Sequence, residues 1–117
     1  MYKYQCELIR VIDGDSLEAN VDLGFDVFKK VSIRLYGIDT PEIRTRDINE
    51  KVWGIAATER VKELLKANGN SFVIISRDYD KFGRSLAEIY LMTEDRTLNQ
   101  ILLDEDLAKE YYGGKRK

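Results

Sequence analysis

The chain has no histidine and a single cysteine in 117 residues. Those two shortages exclude catalytic triads built on histidine, histidine-based phosphotransfer and nuclease chemistry, and almost every zinc site. An enzyme of this composition must draw its acid and base from carboxylate, lysine or tyrosine. Any metal it uses should be a hard, oxygen-liganded ion such as calcium or magnesium. The lone Cys6 cannot close an internal disulfide, which fits a reducing compartment. It alternates with Tyr4 and Leu8, so it reads as a small buried apolar group. Long apolar runs are also missing, and nothing in the pattern spans a membrane. The amino terminus lacks the apolar stretch of a secretory signal, so a cytoplasmic location is expected. The net charge of −2 argues against non-specific polyanion binding over the whole surface. It leaves room for a local basic cleft, because binding depends on where charges lie.

What is present is an ordinary globular composition, 44% hydrophobic and 34% charged, in a length that makes one core. Residues 1–112 read as a single domain and 113–117 as a basic tail. Alternation over Tyr4–Leu8, Leu17–Leu23 and Val31–Tyr36 predicts three strands, the first two joined at an Asp13-Gly14 turn. Short connections make them an antiparallel meander. A helix is expected after Asp47, whose pairing with Glu50 resembles a capping box. Trp53, Ala57, Val61 and Leu64 form its core stripe, and Asn68-Gly69 ends it. Gly54 weakens that helix by about 1 kcal/mol relative to alanine, a cost for packing to offset. Phe72–Ser76 and Leu86–Met92 read as strands. Thr97 with Gln100 starts a second helix carrying Leu98, Ile101 and Leu102, and Leu107–Tyr112 suggests a third. Five strands with a helix between the third and fourth predict a mainly β, α+β chain. The layout is a five-stranded Greek-key barrel of the OB type with about three helices. No sticky stripe is evident, so a monomer is expected.

The chemistry concentrates in three segments. Ile33-Arg-Leu-Tyr-Gly-Ile-Asp-Thr-Pro-Glu42 puts one cation and two carboxylates on a strand and the turn that ends it. Val11-Ile-Asp-Gly-Asp15 lies upstream and Asp80-Lys-Phe-Gly-Arg84 downstream. Hydrolysing a phosphodiester needs cations to clamp the phosphate oxygens, a divalent ion to bridge one, and a carboxylate to activate water. Arginine suits the clamp because its planar fork donates two parallel hydrogen bonds. Arg34 and Arg84 can supply it. Asp15 and Asp39 are suited to holding a hard cation, with other oxygens completing a shell of roughly six to eight. Glu42 lies close enough to reach the same place. Taken singly, each residue has a plainer use. Asp13, Asp15 and Asp39 could organise turns, Arg34 could pair with a nearby carboxylate, Gly83-Arg84 could be a loop, and Glu42 could be a solvated charge.

Together the segments resemble the signature blocks of the staphylococcal (micrococcal) nuclease, or thermonuclease, family. The blocks are Val11–Ser16, Ile33–Glu42 and Asp80–Ala87, and Leu107-Ala-Lys109 with Tyr112 resembles the closing segment. They occur in order over nearly the whole chain. The resemblance implies a calcium-dependent phosphodiesterase that cleaves DNA and RNA with little sequence preference. It would favour single-stranded or denatured substrate and leave 3′-phosphorylated products. By the same resemblance Asp15 and Asp39 ligate calcium through side chains and Thr40 through its carbonyl. Arg34 and Arg84 bind the scissile phosphate, Glu42 is the general base, and Lys81 and Tyr112 hold the nucleotide. Ser16 stands where threonine is usual and keeps the hydroxyl. Phe82 replaces a common tyrosine, keeping a stacking face and losing a donor. The alternative from another class is a non-catalytic OB-type module that binds nucleic acid or protein.

Overall fold

The computed structural model describes residues 2–112, so the basic tail at 113–117 lies outside the described residues. Its strands are β1 (Tyr2–Asp13), β2 (Ser16–Asp22), β3 (Phe28–Leu35), β4 (Ile38–Asp39), β5 (Ser71–Tyr79), β6 (Ser85–Tyr90) and β7 (Lys109–Glu110). Helix α1 (Ile48–Ala67) lies between β4 and β5, and α2 (Leu98–Asp104) between β6 and β7. Five strands close a barrel in the order β1-β2-β3-β6-β5, which is the expected Greek-key arrangement. The first three strands form the expected antiparallel meander. Parallel pairing of β3 with β6 is short and sets Ile33 opposite Ser85 and Arg34 opposite Leu86. That register carries Arg34 and Arg84 to the same side of the barrel from segments fifty residues apart.

Alternation decides what fills the barrel. Leu17, Ile33, Leu35, Phe72, Ile74 and Ile89 are buried inside it, joined by Val61, Leu64 and Leu65 of α1 and Leu98, Ile101 and Leu102 of α2. Burying each such side chain contributes roughly 1.5–3 kcal/mol. Cys6 is buried as expected, and burial, aided by the charge of Glu7, pushes its thiol up to about 12.

Helix α1 begins where the caps predict. Asp47 accepts from the Asn49 and Glu50 amides at 3.0 and 3.2 Å. The box is only half closed, because the Glu50 carboxylate turns to the Glu42 amide, at 3.3 Å. Thr97 likewise caps α2 by accepting from the Gln100 amide at 3.0 Å.

Two expectations fail. The segment expected as a third helix, Leu107–Tyr112, is extended around the two-residue β7 instead, so two helices are found among the described residues. Its backbone is claimed by an edge: Ile38 and Asp39 pair with Glu110 and Lys109, and the Tyr111 amide donates to the Gly37 carbonyl at 2.9 Å. Trp53 is not core but 54% exposed. The buried face of α1 runs through Gly54, Ala57, Thr58, Val61, Leu64 and Leu65, so Ala57, Val61 and Leu64 are core as expected and only Trp53 falls off the stripe, its place taken by Gly54. Gly54 and Thr58 occupy buried positions that hydrophobicity does not flag. No helix among the described residues is long and apolar enough to cross a membrane.

Candidate nucleic-acid cleavage site

Asp15 follows the β1–β2 turn and is buried. Its Oδ2 accepts from the Thr40 amide at 3.0 Å and lies 3.3 Å from Nη1 of Arg34, while Oδ1 accepts from the Ser16 hydroxyl at 3.2 Å. Arg34 projects from the end of β3 and donates from Nη2 to Oδ1 of Asp39 at 3.1 Å and from Nη1 to the Ile38 carbonyl at 3.0 Å. The guanidinium therefore lies between the two carboxylates expected to hold a cation. Burial pushes the Asp15 carboxyl up, but its hydrogen bond with Asp13, the charge of Arg34 and the bonds from Thr40 outweigh that and hold it low. Asp13 goes the other way. Burial first, then the neighbouring Asp15 carboxylate, pushes it up to about 6. Asp13 also makes the turn expected of it, accepting from the Asp15 amide at 3.1 Å.

Arg84 leaves the β5–β6 turn with its Nε donating to Asp80 Oδ2 at 2.6 Å. The other Asp80 oxygen accepts from the Phe82 and Arg84 amides, both at 2.9 Å, so one carboxylate shapes the loop and aims the guanidinium. The Phe82 ring takes both Lys81 and Arg84 over its face, at 5.4 and 5.5 Å. Arg34, Arg84, Lys81, Phe82 and Tyr112 line one cavity of about 440 Å³. Tyr112 is set there by an edge contact with Tyr36, ring centroids 5.8 Å apart, and by Gly37. Gly37 has φ +80°, and a Cβ there would meet the Tyr112 ring at 3.0 Å, so glycine serves both the turn and the close approach.

Glu42 is exposed and lines a neighbouring depression of about 390 Å³ with Asp39, Thr40, Glu50, Asp106 and Lys109. Strand β4 joins the two hollows, Ile38 facing the first and Asp39 the second. Thus Arg34, Arg84, Lys81 and Tyr112 share one hollow and Asp39, Thr40 and Glu42 the other. Asp15 beneath them is bonded to both Arg34 and Thr40. No cluster of three or more histidine, cysteine, aspartate or glutamate side chains suited to a metal is found among the described residues. The arrangement is a cavity lined by two arginines beside a carboxylate-lined hollow.

The profile of the family described as staphylococcal nuclease homologue matches residues 32–117. The chain belongs to that family. It is 30% identical over 104 residues to a thermonuclease of Staphylococcus hyicus, covering 89% of this chain and 54% of that one. A thermonuclease of Staphylococcus intermedius is 34% identical over 100 residues, covering 86% and 55%. Endonuclease YncB of Bacillus subtilis (strain 168) is 31% identical over 106 residues, covering 90% and 47%. The chain spans about half the length of these curated relatives.

Several residues that build the site in this staphylococcal nuclease homologue escaped the sequence reading. Gly54 is one, since a Cβ there would lie 2.7 Å from the Pro41 carbonyl oxygen and 2.8 Å from that of Glu42. Gly14 is similar, with Ala57 Cβ and Thr40 Oγ1 at 2.8 and 2.9 Å from the position of its absent Cβ. The two glycines let α1 and the β1–β2 turn close on the segment carrying Thr40 and Glu42. Buried Asn99 is another. It donates to the Tyr36 and Ala87 carbonyls at 2.9 and 3.2 Å and accepts from the Ile89 amide at 3.1 Å, tying the end of β3 to β6. An asparagine amid the apolar residues of α2 was the available signal.

Proposed function

We propose that the chain is a calcium-dependent nuclease that hydrolyses phosphodiester bonds of DNA and RNA with little sequence preference. In this reading Arg34 and Arg84 grip the non-bridging oxygens of the scissile phosphate, and Lys81 and Tyr112 hold the attached nucleotide. Glu42 takes a proton from the attacking water, whose oxygen bonds to phosphorus as the bond to the 5′-oxygen breaks. The departing 5′-oxygen takes up a proton from solvent, so the products are a 3′-phosphate and a 5′-hydroxyl, and single-stranded or denatured substrate reaches the hollows most easily. The observation that carries the reading is the shared cavity. Arg34 and Arg84, brought together by the β3–β6 register, line it from separate segments and each is held by carboxylates.

Asp15 and Asp39, whose carboxylates lie 3.3 and 3.1 Å from the Arg34 guanidinium, would hold the cation together with the Thr40 carbonyl, an all-oxygen set of the kind a hard ion takes that leaves positions for water and phosphate. When bound, calcium would offset charge on a phosphate oxygen and lower the barrier to attack by water.

The test is incubation with denatured DNA and RNA, with calcium and with excess chelator, across neutral to alkaline pH. Calcium-dependent degradation is expected, and its absence would overturn the reading. Binding without cleavage would instead place the chain among non-catalytic OB-type modules. Glu42→Gln and Arg84→Ala are each expected to lower kcat by about a hundredfold or more. A near-normal rate in either would remove that residue's role.

A further inference from the structure

Away from the two hollows, the barrel has an open mouth of about 270 Å³, to which all five barrel strands contribute and no helix residue does. Its polar lining has one character. Lys29 of β3, in the inward phase of Val31 and Ile33, reaches it, with the phenols of Tyr4 and Tyr79 and the hydroxyls of Ser76 and Ser85, and no lining residue is an aspartate or glutamate. This occurs in a chain whose 21 acids outnumber its 19 bases. The next residue, Lys30, lies outside the barrel 3.8 Å from Glu18, whereas Lys29 has no ion-pair partner among the described residues. The Ser76 and Ser85 oxygens are 2.9 Å apart. One proton serves that contact, leaving the second hydroxyl to donate elsewhere. Uncommitted donors with no competing carboxylate favour an anion. The volume falls below the ~300–1,000 Å³ of pockets for drug-sized ligands, which suits a phosphate and its sugar.

The mouth and the arginine cavity share a wall. Where β5 turns into β6, Tyr79, Gly83 and Ser85 line the mouth, while Asp80, Lys81, Phe82 and Arg84 line the cavity. Tyr79 and Phe82 are 67% and 72% exposed, giving two aromatic faces along the crossing. Lysines beside exposed aromatic rings are what a flexible polynucleotide needs, charge for its backbone and a stacking face for its bases.

From this we infer that the barrel mouth is a second phosphate subsite, centred on Lys29 and flanked by Tyr79. It takes a neighbouring phosphodiester of the same single strand whose scissile linkage lies at Arg34 and Arg84. The inference rests on the cleavage reading for its substrate. It adds a footprint extending past the reacting linkage.

The test compares a dinucleoside monophosphate, which has one linkage, with a single-stranded oligonucleotide of about twelve nucleotides. Lys29→Glu and Tyr79→Ala are both exposed changes, and melting curves check their folding. Each is expected to raise KM several-fold for the oligonucleotide relative to the dinucleotide, with kcat unchanged. The milder Lys29→Gln should flatten the logarithmic salt slope of oligonucleotide binding by about 0.7, the share of one single-strand phosphate contact. Equal KM changes on both substrates, or none on either, would overturn the subsite. If the wild-type chain cleaves neither substrate, the nuclease reading fails by itself. Fluorescence anisotropy of a labelled oligonucleotide then decides the mouth alone: weaker binding by Lys29→Glu supports it, and unchanged binding overturns it.

Discussion

Replacing Gly54 with alanine sets two opposing effects against each other. In an exposed helix the change would stabilise by about 1 kcal/mol, because alanine loses less backbone freedom on folding. Here the added Cβ would lie 2.7 and 2.8 Å from two backbone carbonyl oxygens, those of Pro41 and Glu42. Neither can rotate aside as a side-chain tip could. The Gly54 carbonyl also accepts from the Thr58 hydroxyl at 2.9 Å, fixing the helix on that side. Overpacking of this kind costs about 1–3 kcal/mol, and two backbone contacts put it in the upper part of that range. The expected net is about 1–2 kcal/mol lost, a fall in Tm of several degrees for a chain of this size. The segment that must yield carries Glu42. A shift near 1 Å there is expected to lower kcat by about a hundredfold, measured well below Tm where the variant is fully folded. Urea unfolding and steady-state cleavage of denatured DNA read the two effects. An alanine variant more stable than wild type with unchanged kcat would refute the close approach of α1 to the Glu42 turn.

Other outcomes follow from the same geometry. Asn99→Leu leaves the Ile89 amide and the Tyr36 carbonyl without their partner and is expected to cost about 2–4 kcal/mol in chemical denaturation; a loss below about 0.5 kcal/mol would show that β3 and β6 do not depend on it. Cys6 is expected to resist alkylation in the folded chain. Its folded value, about 12 against 9.0 unfolded, gives stability that is present below pH 9 and lost as pH rises toward 12; labelling at a free-thiol rate near pH 8 would contradict its burial. For Asp80, burial pushes the carboxyl up, but the Arg84 amide and guanidinium and the Phe82 amide outweigh it and hold it below 3.8. The stability it contributes is present above pH 3.8 and lost as pH falls through the lowered value. Asp80→Asn should therefore melt below wild type at pH 7 and converge with it in acid, and parallel curves would remove Asp80 as the anchor of the loop.

Most of the barrel was legible because alternation reports which face of a strand is wet. Leu17, Ile33 and Ile74 declared the core, and Asp47, Asn68 and Thr97 declared helix ends, since each rule needs only neighbours in sequence. The final segment misled because apolar residues at helical spacing also suit a short edge strand. Only the backbone edge that Ile38–Asp39 offers for pairing, distant in sequence, decides between them. Trp53 misled for a related reason. Periodicity assumes that the buried face is the apolar face, whereas the approach of the Pro41–Glu42 backbone demands the smallest residue at the buried position and turns the large neighbour outward.

The site divides along the same line. Its charged residues could be identified by type and spacing, but the pattern could not show how each charge is held before a substrate arrives. Arg34 lies between Asp15 and Asp39, and Arg84 is held by Asp80. On the proposed reading an arriving phosphate would meet guanidiniums whose geometry is already set, and would share them with these carboxylates. That arrangement would limit affinity while sparing the reorganisation that flexible arginines would require at the moment of reaction. Two of those carboxylates, Asp15 and Asp39, are the proposed cation ligands. Cation and phosphate would then bind with mutual support, because a divalent charge beside Asp15 and Asp39 weakens their hold on Arg34 and frees its donors for the phosphate. Calorimetry should show calcium binding more tightly with a nucleotide than without, and Asp39→Asn should reduce that difference. Equal calcium affinity in both conditions would mean that Arg34 does not link the two.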